Sequence, residues 1–349
     1  MSSGYPALPG SGRDEPPGQE GYRDGVSTPG SSRPRRLRLR VAAAVLVGVI
    51  VGAAVALYRP DLSVEDLARY AGAPSQFVEV DGMQVHYRDR GQGPAVLLLH
   101  GSNASLHTWE DWTAQLAATH RVVAVDLPGH GLTGPHPDDR YTTRDTAAFV
   151  EAFTDAVGLD RFTLVGNSMG GRSAWAYTLL YPERVEGLVL VAASGYPATG
   201  PPGFVYRLAR VPGFGAVVTR LTPRWLIASQ LRSAYADPEQ VTDERITQYS
   251  DLLRHAGNRD ATRARLLSDP DDADLRGRLG AIAVPTLVLW GEQDTWVPVA
   301  HADRFAEDIP DAEVITYPDL GHLPMEEGPE ATVEDLIRFL ERLDARRRA

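Results

Sequence analysis

From Gln76 onward, short apolar runs alternate with helical patterns, and this alternation constrains the fold more than any other feature of the chain. Ala95-Val96-Leu97-Leu98-Leu99 is apolar at every position, as a strand buried on both faces must be. Arg121 to Val125, Phe162 to Val165, Gly187 to Val191, Thr286 to Trp290 and Glu313 to Thr316 are further strand candidates. Phe77–Val80 and Met83–Arg88 flank Asp81-Gly82, a strong hairpin signal. Helical patterns lie between the strands at Thr108–Ala118, Thr143–Val157 and Met169–Tyr181, the last stopped by Pro182. Thr332 to Leu343 reads as a closing amphipathic helix. Strands that alternate with helices imply an α/β fold with a mostly parallel, doubly wound sheet.

The alternation breaks over 195–281. That stretch opens with a Gly/Pro-rich segment and then carries helical patterns without a clear strand, so we read it as a helical cap inserted over one edge of the sheet. The core is then 76–194 and 282–345. Residues 59–75 read as a linker, with a short amphipathic helix possible at Leu62 to Ala73. Arg346 to Arg348 read as a solvated end.

The N-terminal residues obey different rules. Residues 1–40 are rich in Gly, Pro and Ser without apolar periodicity and end in Arg33, Arg35, Arg36, Arg38 and Arg40. Such a tail buries too little surface to offset its chain entropy, so disorder is expected. Residues 41–58 then carry no charge. As a helix they would reach about 27 Å, close to a hydrocarbon core of about 30 Å. Both flanks are polar and no amphipathic face is visible, which argues against a buried core helix. A cleaved signal peptide is the stronger competitor, since Ala54-Val55-Ala56 offers a small-residue cleavage site. The long polar segment before the run and the length of the run favour an uncleaved transmembrane signal anchor. The arginines precede the span and only Arg59 follows it directly, so the positive-inside rule leaves the N-terminus cytoplasmic and the catalytic portion extracytoplasmic. Secretion after cleavage is the alternative.

Composition removes whole classes of function. With 35 basic and 46 acidic residues the net charge is −11, which argues against a nucleic-acid binder. There is no cysteine, hence no disulfide framework, thiol nucleophile or zinc-thiolate site. There is also no lysine, hence no Schiff-base chemistry and no P-loop.

Gly166-Asn167-Ser168-Met169-Gly170 follows an apolar strand and opens a helix, which is G-x-S-x-G in its strand–turn–helix setting. The turn is so sharp that side chains at Gly166 and Gly170 would strike neighbouring backbone. It displays Ser168 on the partially positive end of a helix. His100-Gly101-Ser102-Asn103 follows the strand at Ala95–Leu99. A backbone N–H there, assigned to Ser102, pairs with Met169 N–H as a candidate oxyanion hole. His100 reads as structural, and Asn103 as a loop cap or a substrate contact. Asp294 follows the strand at Thr286–Trp290, and is preferred to Glu292 as the acid. His322, after Gly321, is the candidate base, whereas His301 lies on a predicted helix and reads as surface. The order Ser168, Asp294, His322 is the one expected for this elbow motif.

On these residues the chain resembles the α/β-hydrolase superfamily from about Gln76 to Leu343. HGSN at 100–103, DLPGHG at 126–131, GNSMGG at 166–171, GEQDTWVP at 291–298 and GH at 321–322 fall in family order. It is most similar to capped esterase/lipase-type members and to relatives that hydrolyse carbon–carbon bonds beside a carbonyl. The resemblance implies a serine hydrolase with Ser168 as nucleophile, Asp294 as acid, His322 as base, and Ser102 and Met169 at the oxyanion positions. Related haloalkane dehalogenases and epoxide hydrolases use an aspartate nucleophile, which Ser168 argues against. No metal or organic cofactor is called for. The expected partner is a small-molecule acyl substrate with an apolar acyl group, with the membrane contacted through 41–58. Diketone hydrolysis, acyl transfer, cofactor-free perhydrolysis and a non-catalytic binding module are the rival readings. Tyr196, Phe204, Tyr206, Phe214, Trp225, Leu226, Tyr235 and Tyr249 are the cap residues from which substrate contacts would come.

Overall fold

A computed structural model describes residues 33–197, 219–268 and 272–348. It divides into two units, Met1–Ala53 and Ala54–Ala349. Helix α1 runs over Arg33–Leu57, so it starts within the arginine cluster rather than at Val41. Arginine is a good helix former, so nothing in that cluster stops the helix. The stretch Leu37–Leu57, with mean hydropathy 2.4, is long and apolar enough to cross a membrane.

The second unit is built on an eight-stranded sheet in the order β1-β2-β4-β3-β5-β6-β7-β8. These are β1 Ser75–Val80, β2 Met83–Arg90, β3 Ala95–Leu99, β4 Arg121–Val125, β5 Phe162–Asn167, β6 Val185–Val191, β7 Thr286–Gly291 and β8 Ala312–Tyr317. Strand β2 is antiparallel to both β1 and β4, and every other pairing is parallel. Asp81 and Gly82 both have positive φ, 51° and 77°, at the β1–β2 turn. Two like-signed positive φ values are what a tight hairpin matched to strand twist requires.

The apolar runs are explained by the two cores. Side chains alternate across a strand. Leu97, Leu99, Leu164, Leu188 and Val288 point into one core. Val96, Leu98, Val165, Val189 and Leu287 point into the other. The first core is closed by α3 Thr143–Ala156, α4 Met169–Leu180 and, later in the chain, the helix Ala300–Asp308, through Phe149, Phe153, Trp175 and Phe305. The second is closed by α2 Glu110–Leu116 and the C-terminal helix Pro329–Arg348, through Trp109, Trp112, Leu336 and Phe339. Thr142 and Asp145 form a reciprocal capping box that starts α3 where the sequence pattern began.

Between β6 and β7 the described residues are helical, at α5 Arg224–Ala234, α6 Asp243–Leu253 and α7 Asn258–Leu267. Phe204, Tyr206 and Phe214 lie outside the described residues. The end of the segment belongs to the core, since Leu275, Leu279 and Ile282 are buried with α4 and its neighbours.

Two local expectations change. Residues 62–73 form only a short 3₁₀ turn at Ala68–Tyr70. The chain there is fixed to the cap instead of spanning free space: Leu62 N donates to Arg254 O, and the buried Arg259 donates to Asp61 Oδ1 at 2.6 Å. Leu67 and Tyr70 supply an apolar anchor with Leu132 and Leu252. His301 is buried, not on the surface, because the same helix face carries Ala302 and Phe305 inward and the imidazole packs edge-on against Tyr196 and Trp290. Arg346 to Arg348 are exposed, as expected of a solvated end, while Arg346 and Arg347 continue the last helix and pair with Asp311 and Glu186.

Asp126 ties the loops under the sheet's carboxyl edge together. Its Oδ1 accepts from Leu106 N and its Oδ2 from Leu132 N and His86 Nδ1, at 2.7, 2.8 and 2.7 Å respectively. Burial alone would push this carboxyl up, but the adjacent His86 and the nearby His100 and His107 outweigh it and hold it below the usual carboxylate range. A carboxyl depressed in the fold stabilises above its unfolded pKa and stops doing so as pH falls toward the folded one. Stability should therefore fall as pH drops below about 4. Asp126→Asn should cost about 2–4 kcal/mol at pH 7. Chemical denaturation of both proteins between pH 7 and pH 3 checks this: the gap should narrow toward pH 3.

Candidate active site

Parallel strands deliver their ends to one edge of a sheet, which is where open α/β sheets bind ligands. Here that edge receives the residues after β3, β5, β7 and β8. Ser168 follows β5 at φ 52° and ψ −113°. A positive φ is rare for a residue with a side chain and persists only where neighbours enforce it. Two of those neighbours are hydrogen bonds, Ser168 N to Val191 O and Ser194 N to Ser168 O, at 3.0 and 2.9 Å. The flanking glycines permit the turn. A Cβ on Gly166 would lie 2.3 Å from Gly170 O, and one on Gly170 would lie 2.3 Å from Leu99 O. Met169 is the first residue of α4, so its N–H has no acceptor within the helix.

The candidate acid and base lie side by side. His322 Nδ1 lies 2.7 Å from Asp294 Oδ2, with both side chains essentially buried. Asp294 Oδ1 accepts from the backbone N–H of Trp296 and of Val297, at 2.7 and 2.9 Å. The carboxylate is thus fixed on both oxygens, and its bond to Nδ1 leaves Nε2 as the free nitrogen of the neutral ring. His322 N donates to Ala234 O at 2.7 Å, and Asn167 Nδ2 donates to His322 O at 3.2 Å. The Trp296 ring packs on the imidazole with centroids 5.2 Å apart. Ser168 and His322 line one cavity of about 130 Å³ together with Ser102 and Asn103.

The loop after β3 presses against the elbow. A Cβ on Gly101 would come within 2.7 Å of Asn167 Oδ1 and 3.3 Å of Ser168 Cβ, so the missing side chain lets the loop lie close against the elbow. His100 holds the loop from below. Its Nε2 accepts from Leu127 N at 3.0 Å, which makes Nδ1 the protonated nitrogen, donating to Gly101 O at 2.7 Å. Burial favours the uncharged form of His100 and pulls its pKa down. Asn103, at φ 59°, accepts at Oδ1 from Thr262 Oγ1 and Arg265 Nη2. Its side-chain oxygen is therefore committed to the cap.

Of the cap aromatics, Tyr249 lines the cavity. Tyr196 instead packs on Phe305 and donates to Asp308 at 2.7 Å, and Trp225 is exposed. Ile227, Leu231, Leu253, Trp296 and Leu323 form the apolar wall. Sequence reasoning missed them because aliphatic residues on amphipathic helices carry no mark of which face meets a ligand. Trp296 was findable, two residues beyond Asp294 in the same loop. Among the described residues, no cluster of three or more His, Asp and Glu side chains is arranged to hold a metal ion.

A family model described as the alpha/beta hydrolase fold matches residues 94–329. The chain belongs to the alpha/beta hydrolase family. This alpha/beta hydrolase is 32% identical over 285 residues to a 2-hydroxy-6-oxononadienedioate/2-hydroxy-6-oxononatrienedioate hydrolase of Burkholderia vietnamiensis, covering 77% of this chain and 96% of that one. Among solved structures it is similar to a membrane phospholipase A, with TM-score 0.66, 27% identity, and 89% of this chain and 97% of that one covered. It is also similar to an N-acyl homoserine lactone degrading enzyme, with TM-score 0.64, 27% identity, and 76% and 100% covered.

The elbow geometry makes Gly170→Ala a sharp test. The methyl group must displace the Leu99 and His100 carbonyls, and such overpacking costs about 1–3 kcal/mol. The variant should melt several degrees lower, and reaction with a fluorophosphonate serine probe should slow. Unchanged melting and labelling would contradict the close approach.

Proposed function

We propose that this alpha/beta hydrolase is a serine hydrolase that cleaves carboxylic esters through an acyl-enzyme. Ser168 Oγ attacks the ester carbonyl while His322 takes its proton. Asp294 holds the imidazole in the required tautomer and stabilises the imidazolium. The N–H groups of Ser102 and Met169 stabilise the oxyanion, each such donor being worth about 3 kcal/mol. The C–O bond then breaks, and the leaving alkoxide takes the proton from His322. Water hydrolyses the acyl-Ser168 by the same route, and Ser168 Oγ regains its proton. The observation that carries this reading is the His322–Asp294 bond of 2.7 Å beside a cavity shared by His322 and Ser168.

Carbon–carbon hydrolysis is the second reading, and the 32% identity to the Burkholderia vietnamiensis hydrolase favours it. The lining of the cavity favours the ester. An alkoxide leaves with one proton from His322, whereas an enolate needs a group to hold its charge. Among the described residues, no arginine lines the cavity that contains His322.

The deciding experiment labels the full-length protein in detergent with a fluorophosphonate probe, then measures turnover of 4-nitrophenyl butyrate and of a vinylogous 1,5-diketone acid. The parent should label and hydrolyse the ester, and Ser168→Ala should do neither. Asp294→Asn should lose about 10⁴-fold in kcat. Turnover of the diketone without the ester would favour carbon–carbon hydrolysis.

We further propose that α1 is an uncleaved anchor that leaves the N-terminus in the cytoplasm and the catalytic unit outside. The arginines at 33–40 and the apolar stretch Leu37–Leu57 support this. Protease added to intact cells should then remove the catalytic unit while the protein stays in the membrane fraction. Full protection would contradict the orientation, and a soluble shortened product would point to cleavage.

A further inference from the structure

A second cavity, of about 220 Å³, also reaches Ser168 and Ser102, and it differs in character from the first. It is lined by Met169, Arg172, Thr262, Arg265 and Ser268 among others, and by no carboxylate among the described residues. Arg265 projects from α7, and its hydrogen-bond partners are all neutral: Thr262 Oγ1 at 3.1 Å, Asn103 Oδ1 at 3.3 Å and Gly129 O at 3.5 Å. Among the described residues no carboxylate lies within 4.0 Å of its guanidinium, whereas its helix neighbour Arg259 pairs with Asp61 at 2.6 Å. Burial pulls its pKa down to about 10, and only Tyr141 opposes the shift. It is still a cation at neutral pH. Arg172 beside it has a buried Nε without a hydrogen-bond partner, 3.5 Å from an Asp272 oxygen. Asp272 is shared with Arg276, at 3.4 Å. Among the described residues, positive charge is thus gathered beside Ser168 with too little negative charge to match it, and a partly buried charge without a counter-ion is costly.

The two cavities also differ in their catalytic groups. His322 lines only the first, and Met169 only the second. The leaving oxygen must take its proton from His322. The alcohol side of an ester therefore belongs in the first, apolar cavity, and the acyl arm enters the second. This puts the substrate's apolar group on its alcohol rather than on its acyl chain.

We propose that the acyl arm ends in a carboxylate that pairs with Arg265, so that the preferred substrates are monoesters of dicarboxylic acids. The proposal rests on the serine hydrolase reading above. Arginine suits the task because its planar fork meets a carboxylate with two parallel hydrogen bonds.

The test compares 4-nitrophenyl hydrogen glutarate with its neutral methyl ester, and the adipate pair likewise, on the full-length protein. The parent should favour the carboxylate form in kcat/KM by about 10- to 100-fold in at least one pair, the range expected of a charge-assisted hydrogen bond. Arg265→Met should bring that ratio to one or below, mostly through KM, and Arg265→Lys should restore part of it. A parent ratio near one, or equal losses on both esters in Arg265→Met, would overturn the proposal and leave Arg265 as a clasp between cap and core. Calorimetric binding of glutarate to Ser168→Ala separates the two readings. Binding that is lost when Arg265→Met is added supports the charge site even if no ester turns over. Absent binding beside active ester hydrolysis removes the charge site alone.

Discussion

The packing of bare backbone against bare backbone at residues 166–171 is the constraint on which the site depends. The carbonyls of Leu99 and His100 approach Gly170 so closely that no Cβ fits between them. That contact sets the distance between the end of β3 and the start of α4. It thereby sets where the Ser102 loop stands relative to Ser168. The positive φ at Ser168 has the same origin. Strain of this kind costs of order 1–3 kcal/mol and is retained only where the surroundings over-determine it. Here the surroundings are the fully buried β5, its neighbour β6, and the hydrogen bonds from Ser168 to Val191 and from Ser194 back to Ser168.

The cap is joined to this frame through polar groups as well as apolar ones. The buried carboxylate of Glu326, four residues beyond His322, accepts hydrogen bonds from Thr108, Tyr235 and Tyr249 and pairs with Arg245 at 3.1 Å. Tyr235, Tyr249 and Arg245 come from the cap segment, and Thr108 from the core. Burial pushes both tyrosine hydroxyls well up, so they stay protonated and donate to the carboxylate. Glu327 adds a second link, accepting from Ala236 N and Gly321 N. The loop that carries His322 is therefore positioned by both layers at once. A cap displacement would be felt at the imidazole as well as at the cavity wall.

How far the sequence could be read depended on whether a position was governed by backbone geometry or by long-range assembly. Strand runs such as Ala95–Leu99 are legible because burial on two faces demands apolar side chains at every position. The elbow is legible because a sharp turn needs glycine at fixed offsets. His301 was not, since a single imidazole on a helix gives no sign of whether Tyr196 and Trp290 will be there to receive it. Residues 62–73 misled for a related reason: their apolar residues are spaced as in a helix, but they are buried against Leu132 and Leu252, which are distant in sequence. Arg265 belongs to the same class. In sequence it is one of three arginines within seven residues of α7, and only assembly separates it from Arg259, which is paired with Asp61.

Net charge and local charge have opposite signs here, and the physics of each differs. The chain carries −11 overall, so at a distance an anion is repelled rather than steered in. Beyond about 8 Å at physiological salt that repulsion is largely screened. Inside the second cavity the balance reverses, because Arg172 and Arg265 line it and no carboxylate does among the described residues. Discrimination for a carboxylate must then arise on contact, through slow departure rather than fast arrival.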